Sequence, residues 1–366
     1  MIKICFLLTQ VINSGPENVV LDICSHIDQS KYRPIIFSLK KADEHRSIED
    51  KFSDLGIEIV HFDFSTIDLE LRTRKVAKNI KKEFMRLKCN ILHVHCYHPQ
   101  LVASYLNDLN TIVTIHNISG EDLVMKKGII MGTYMKIRYD QSLRCIKASV
   151  AISDYMLEYY GKICNNIVKI SNGVSIKSND NFNKKEFKSL LNIKDESPIV
   201  IITGSVSTRK NVDFAIKELK KSQKDFTCII VGDGEKIDDF KFIAQGDKRF
   251  LFVGFKNNVV DYLEIADYYI SASKSEGLPL SVLEALNMGV PSLLSNIKPH
   301  EEIVNSMNLN GVLSFNLEGN NLVETFEDML NNKFDRKSIQ IRAEQLYSAK
   351  VMTNAYEREY SKMCTN

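Results

Sequence analysis

No window of the 366-residue sequence approaches the roughly 18 uninterrupted apolar residues that a membrane-spanning helix needs. Any membrane contact is therefore peripheral. The opening MIKICFLLTQ is interrupted by Gln10 and Asn13 before a signal-peptide core is complete, so it reads as a first buried strand. The eight cysteines form no C-x-x-C pair of the kind zinc or redox chemistry uses, which fits a reducing, cytoplasmic setting. An excess of one charge is missing too: 48 Lys plus Arg against 46 Asp plus Glu leave a net +2 and no whole-chain case for nucleic acid. Where a G-x-G-x-x-G would follow the first strand stands NSGPE, which argues against a dinucleotide-dependent oxidoreductase. What is present, 44% hydrophobic and 26% charged residues, suits a globular chain with a sizeable core. At about 150 residues per domain, the length predicts two domains.

Short apolar, β-rich runs alternate with longer amphipathic stretches: KICFLL, PIIFSL, ILHVH, TIVTIH, SVAIS and IVKIS in the first half. Runs that are apolar without alternation belong to parallel sheets covered on both faces by helices, so residues 1–172 read as a doubly wound α/β domain. Residues 173–195 are polar and rich in Asn and Lys, which predicts a linker. A second series (PIVIITG, FTCIIVG, RFLFVG, DYYISAS, PSLLS, GVLSF) marks residues 196–345 as another such domain, and helical periodicity continues to the end. Ligands bind at the carboxyl ends of open parallel sheets, so a central cleft faced by the two domains is the expected site.

The strongest local signal is SASKSEGLPLSVLEALNMGVPSLLS. Pro279 suits a helix start and Gly289 a helix end, and the helix between them is apolar nearly all round. Glu284 is the only charge from Gly277 to Ile297, and a carboxylate on such a helix needs a partner or a ligand. Glu276, eight residues earlier, lies in the strand-to-helix turn. Solvated positions for both remain the plainer reading. A helix opening after EGLP also offers unpaired amides and a positive dipole end to a phosphate. GSVSTRKN places Arg209, Lys210 and Asn211 at another strand's carboxyl end, where cations and helix-end amides can converge on a diphosphate. In the first domain Gly15 can let backbone approach a ligand closely. His116 lies just past a strand, where a site residue and a structural histidine are equally well placed. HVHCYH puts His93 and His95 on one strand face, but no further ligand stands at a recognised metal spacing, so no metal is expected. RTRKVAKNIKKEFMRLK carries eight basic residues and one acid, with Val76, Ile80, Phe84 and Leu87 at helical spacing. It reads as a packed helix with a solvated basic face or as an anionic-membrane surface. VMKKGIIMGTYMKIRYDQSLR mixes Lys126, Lys127, Lys136 and Arg138 with Ile129, Ile130, Met131 and Tyr134, as a headgroup-level segment does.

Taken in order, these elements resemble the family-4 glycosyltransferases, a retaining group with the two-domain GT-B fold. The resemblance rests on the E-x7-E pair Glu276 and Glu284, on SNGV, VGDGE and FVGFKNNVVDYLEIADYYISAS, and on the front elements NSGPE, LHVH and TIH. It implies that residues 1–172 form the acceptor-side domain, that residues 196–345 bind the nucleotide sugar, and that a helix in residues 346–366 crosses back to the first domain. It further implies that Glu276 faces the donor sugar, that Glu284 holds the ribose, that Lys210 neutralises the diphosphate, and that His116 contacts the donor. Gly15, Gly204, Ser205, Arg209, Gly232, Gly254, Gly277, Leu278, Pro279 and Leu280 complete the implied donor site, while His98, Lys126 and Arg138 fall on the acceptor side. The family's phosphate-binding arginine is replaced by Ser205, and Arg209 either compensates or points to solvent. The implied activity is sugar transfer from a nucleotide sugar, with a UDP-sugar favoured, to a glycan or lipid-linked glycan in bacterial surface polysaccharide assembly. No cofactor is expected, and the implied place is the cytoplasm or the inner face of the cell membrane. A nucleotide-sugar epimerase of the same fold and a non-catalytic donor-binding subunit use the same residues.

Overall fold

Strands that are apolar along their whole length need cover on both faces, and the computed structural model gives them that cover. It describes residues 1–42, 44–119, 123–124, 127–176, 181–194, 196–319 and 321–365. Two compact units result: residues 1–173 with 349–366, and residues 174–348.

The first unit holds seven parallel strands: β1 (Ile2–Leu8), β2 (Tyr32–Ser38), β3 (Glu58–His61), β4 (Ile91–His95), β5 (Thr111–Ile115), β6 (Ala148–Ala151) and β7 (Ile167–Lys169). Their spatial order is β3-β2-β1-β4-β5-β6-β7. The order reverses between β1 and β4, which makes the loops after these two strands flank the sheet's natural ligand position. The helix Thr73–Arg86 buries Val76, Ala77, Ile80 and Phe84 and leaves its basic residues outward, so the predicted packed face is present.

The helix Ala349–Thr365 belongs to this same unit. It is anchored by two buried tyrosines: Tyr360 Oη lies 2.7 Å from His93 Nδ1, and Tyr356 Oη 2.7 Å from Thr114 Oγ1. His93 Nε2 in turn lies 2.8 Å from Thr114 Oγ1. His93 and His95 share a face of β4 with ring centroids 4.4 Å apart; His93 meets this aromatic and hydroxyl cluster, whereas His95 packs on Phe6 and His116. Among the described residues no group of three metal-ligating side chains is assembled.

The second unit has six parallel strands: β8 (Ile199–Thr203), β9 (Thr227–Val231), β10 (Phe250–Gly254), β11 (Tyr268–Ser271), β12 (Ser292–Ser295) and β13 (Val312–Phe315), in the order β10-β9-β8-β11-β12-β13. Here the reversal falls between β8 and β11. Of residues 173–195, expected as a linker, Gly173 closes the first unit, and the described residues 174–176 and 181–194 belong to the second. Its helix Lys184–Leu190 packs Phe187 edge-on against Tyr262, with ring centroids 5.0 Å apart. Phe182 packs on Phe187 in turn, 5.2 Å between centroids, so two phenylalanines supply the anchor that the segment's polar composition hides.

Glycines close the turns after β8, β9 and β10. Gly204 N–H donates to the Val231 carbonyl at 3.0 Å, and Gly232 N–H to the Gly254 carbonyl at 2.9 Å. A Cβ at Gly232 would come within 1.9 Å of the Gly204 carbonyl oxygen, and the residue's φ is +153°. Gly232→Ala therefore has to push apart two backbone turns beside the β8 loop. We expect it to cost about 2–4 kcal/mol, read as a lower urea midpoint with an unchanged slope.

Candidate active site

The turn after β8 and the turn after β11 adjoin at the strand-order reversal of the second unit. Lys210 and Arg209 come from the first turn and Glu276 from the second. The Lys210 ammonium lies 2.9 Å from Glu276 Oε1, and the Arg209 guanidinium pairs with Oε2 of the same carboxylate. Arg209 also donates to the Ser275 carbonyl at 2.8 Å, and its own carbonyl accepts from Lys274 N–H at 2.9 Å. Arg209 thus turns inward, resolving the two directions left open for it, while Ser205 is exposed. Gly204 sits under the lysine stem: a Cβ there would lie 3.2 Å from Lys210 Cε.

Only 6% of the Glu276 side chain is exposed, against 12% for Lys210 and 22% for Arg209. Burial alone would raise the Glu276 carboxyl, but the Lys210 and Arg209 charges outweigh it and draw the pKa down to about 2. The carboxylate is ionised at any physiological pH. Its Oε1 also accepts from Ser273 Oγ at 2.9 Å.

Glu284 lies on the following helix, Leu280–Asn287, whose N-cap position is Pro279 and which ends at Gly289 with φ +67°. Burial raises its carboxyl and the Lys210 charge partly opposes the rise. Among the described residues no hydrogen-bond partner holds it, in contrast to Glu276. Leu278 is buried, and in the first turn of this helix Val282 N–H already donates to the Pro279 carbonyl at 3.1 Å, which leaves the Leu280 and Ser281 amides as the helix-end donors. Cations, a carboxylate and helix-end donors thus meet around one small region, which can take a diphosphate together with a polyhydroxylated group.

One residue of this region carries no sequence motif. His300, fully buried in the helix Lys298–Met307, places Nδ1 2.9 Å from Ser295 Oγ and 3.0 Å from the Ser295 carbonyl. Burial outweighs the nearby Glu276 charge and lowers its pKa to about 4.

In the first unit Gly15 is the first residue of the helix Gly15–His26 after β1. His116 follows β5 and pairs its Nε2 with His95 Nδ1 at 2.8 Å; burial lowers its pKa to about 4. His95 Nε2 is buried without a hydrogen-bond partner among the described residues. His98 and Arg138 converge on one carboxylate that was not anticipated: Glu70 lies 2.9 Å from His98 Nε2 and 2.6 Å from Arg138 Nη1. Lys126 lies outside the described residues.

Three buried imidazoles and the part-buried His116 give the fold an acid limit. Burial holds His93 at about 3, His116 and His300 at about 4, and His95 well below the ordinary value. The unfolded chain protonates them near pH 6.5, so between about pH 6.5 and 4 it binds more protons than the folded chain. Their contribution is complete above that window and declines as the pH falls through it. The urea midpoint should be lower at about pH 5 than at about pH 7; equal midpoints would show that the rings are not buried neutral.

Comparison with known proteins supplies two family matches in sequence. Residues 13–178 match the model described as Glycosyltransferase Family 4, and residues 183–346 the model described as Glycosyl transferases group 1. The chain is 23% identical to the O-antigen biosynthesis glycosyltransferase WclY of Escherichia coli, over 99% of this chain and 98% of that one. It is 28% identical, over 70% of each chain, to the E. coli UDP-Gal:alpha-D-GlcNAc-diphosphoundecaprenol alpha-1,3-galactosyltransferase. Among solved structures, Anabaena Alr3699/HepE in complex with UDP and glucose matches with a TM-score of 0.80 at 16% identity, covering 99% of this chain and 100% of that one. The lipopolysaccharide glycosyltransferase WaaG matches with a TM-score of 0.69 at 13% identity.

Proposed function

Since the chain belongs to the family-4 glycosyltransferases and carries their GT-B fold, we propose that it moves a hexosyl group from a UDP-sugar to a lipid-linked glycan, with retention of configuration, during bacterial surface polysaccharide assembly. The observation that carries this reading is the triad of Glu276, Lys210 and Arg209 at the strand-order reversal of the second unit. Support for the substrates comes from relatives whose names specify O-antigen assembly, a UDP-galactose donor and a diphosphoundecaprenol acceptor.

In this reaction the bond from the anomeric carbon to the diphosphate oxygen breaks, and its electron pair leaves with the diphosphate. Lys210 and the helix-end amides stabilise the charge that develops there, and such fixed donors are most effective where water is excluded. Before the donor arrives, Glu276 occupies the cations. A diphosphate has to take Lys210 over, and Glu276 is then released toward the sugar hydroxyls. Glu284, which has no hydrogen-bond partner among the described residues, holds the ribose. The family resemblance adds His116 as a donor contact. The acceptor hydroxyl attacks the face from which the nucleotide departs and passes its proton to a leaving phosphate oxygen. No step calls for a metal or a cofactor.

A thermal-shift panel of nucleotide sugars tests the donor, because a ligand that binds the folded chain raises its apparent stability. A UDP-sugar should give the largest shift, and the same compound should then glycosylate an undecaprenyl-diphosphate-linked sugar with its anomeric configuration kept. Isomerisation of the donor without an acceptor would overturn the reading.

The lipid-linked acceptor fits a peripheral site at an anionic membrane. No described helix is long and apolar enough to cross one. The helix Ile129–Leu143 exposes Ile129, Ile130, Met131, Tyr134 and Ile137, with Lys127 just before it. Exposed apolar residues beside cations suit the headgroup layer. Ile130→Glu should reduce cosedimentation with anionic phospholipid vesicles several-fold and leave UDP binding unchanged; equal cosedimentation would remove this helix from the membrane contact.

A further inference from the structure

We propose that His300 is a positioning residue for the transfer reaction, holding the Glu276 carboxylate in place through Ser295 and the turn that begins at Ser273. The inference rests on the reading of Glu276 as the donor-sugar contact.

The hydrogen-bond partners fix the direction of every proton in the link. A carbonyl oxygen can only accept, so the ring nitrogen 3.0 Å from the Ser295 carbonyl, Nδ1, carries the hydrogen. The same N–H reaches Ser295 Oγ at 2.9 Å. Ser295 Oγ is thereby an acceptor toward the ring and directs its own hydrogen to the Ser273 carbonyl, 2.6 Å away. The Ser273 hydroxyl donates to Glu276 Oε1 at 2.9 Å. His300 Nε2 is left with its lone pair, facing Ser271 Oγ at 3.5 Å, a weak contact.

Location makes this link matter. Ser273, Ser295 and His300 are all completely buried, so no water competes for these bonds. Glu276 pairs with two cations, and the Ser273 hydroxyl is a further contact, made to the same Oε1 that meets Lys210. β11 and β12 are paired strands, and the link ties the turn after the first to the end of the second. Without it, Glu276 is free to follow Lys210 and Arg209. A shift of about 1 Å at such a residue can cost on the order of 100-fold in rate.

The decisive variants are His300→Asn, His300→Leu and Ser295→Ala. An asparagine amide can take the place of Nδ1–H; leucine cannot. Crystal structures of the ligand-free full-length variants read the geometry without any choice of donor. His300→Asn should keep the Ser273 bond to Glu276, whereas His300→Leu and Ser295→Ala should break it and displace the carboxylate. With the donor selected by thermal shift, His300→Leu should lower kcat by about 10-fold to 100-fold at little-changed donor KM, and His300→Asn should remain within about 3-fold of the wild type. If His300→Leu does not fold, Ser295→Ala carries the same comparison at nearly constant shape. An unmoved Glu276 in His300→Leu, or in Ser295→Ala where leucine does not fold, overturns the proposal. So does wild-type turnover in that variant while Glu276→Gln is inactive. Full activity of Glu276→Gln instead overturns the reading of Glu276, and the crystal structures still decide the role of His300.

Discussion

Lys210→Ala should turn over about 30-fold to 1000-fold more slowly than the wild type at saturating donor, with its fold retained. In the proposed reaction the lysine supplies the charge-assisted contact to the departing diphosphate, and losing one contact of that kind costs about 2–4 kcal/mol of barrier. The position normally held by an arginine in this family is Ser205, which is exposed, and Arg209 is tied to the Ser275 carbonyl as well as to Glu276. Lys210 is therefore the cation least committed to the backbone. Lys210→Arg is not expected to restore the rate, because a planar guanidinium presents its donors in a fixed fork where lysine offers a compact point charge. Circular dichroism and the urea midpoint establish that the fold is intact. Wild-type turnover in Lys210→Ala would remove the lysine from the chemistry.

Glu276→Gln should separate binding from turnover. Free UDP needs the cations but not the sugar contact, and in the ligand-free protein Glu276 competes for those cations. UDP should bind the variant several-fold more tightly by calorimetry, while kcat falls by about 100-fold or more. The variant should also be less stable by about 3 kcal/mol, because two largely buried cations lose their counter-charge, and UDP should restore part of that loss. The acid behaviour follows from the same pair. With a folded pKa drawn down to about 2 from 4.5, the carboxylate's contribution is complete above about pH 4.5 and fades only as the pH falls toward 2. Weaker UDP binding in Glu276→Gln would mean that the glutamate does not compete for the diphosphate site.

The sequence made some of this legible and hid the rest for physical reasons. Alternating apolar runs and amphipathic stretches declare a doubly wound domain because both faces of a parallel sheet must be covered, and the two sheets follow. Glu276 and Lys210 stood out because each sits at the end of a recognisable strand. The direction of Arg209 did not, since a loop residue's direction depends on the Ser275 carbonyl, 66 residues away in sequence. His300 lay outside every motif: a single histidine in a helix looks like core, and only the folded β12 end shows its bond to Ser295. The partners of His93 were equally hidden. Tyr360 is 267 residues distant, beyond any local pattern. In the stretch 173–195 Asn and Lys dominate the composition and hide the packing of Phe187 against Tyr262.

The central claim is that Lys210 receives the diphosphate and gives up Glu276 in doing so. A crystal structure of the wild-type protein with UDP tests it directly. The account predicts a diphosphate oxygen within hydrogen-bond distance of Lys210 Nζ, with the 2.9 Å contact between Lys210 and Glu276 opened. A diphosphate bound elsewhere, with that contact intact, would contradict it.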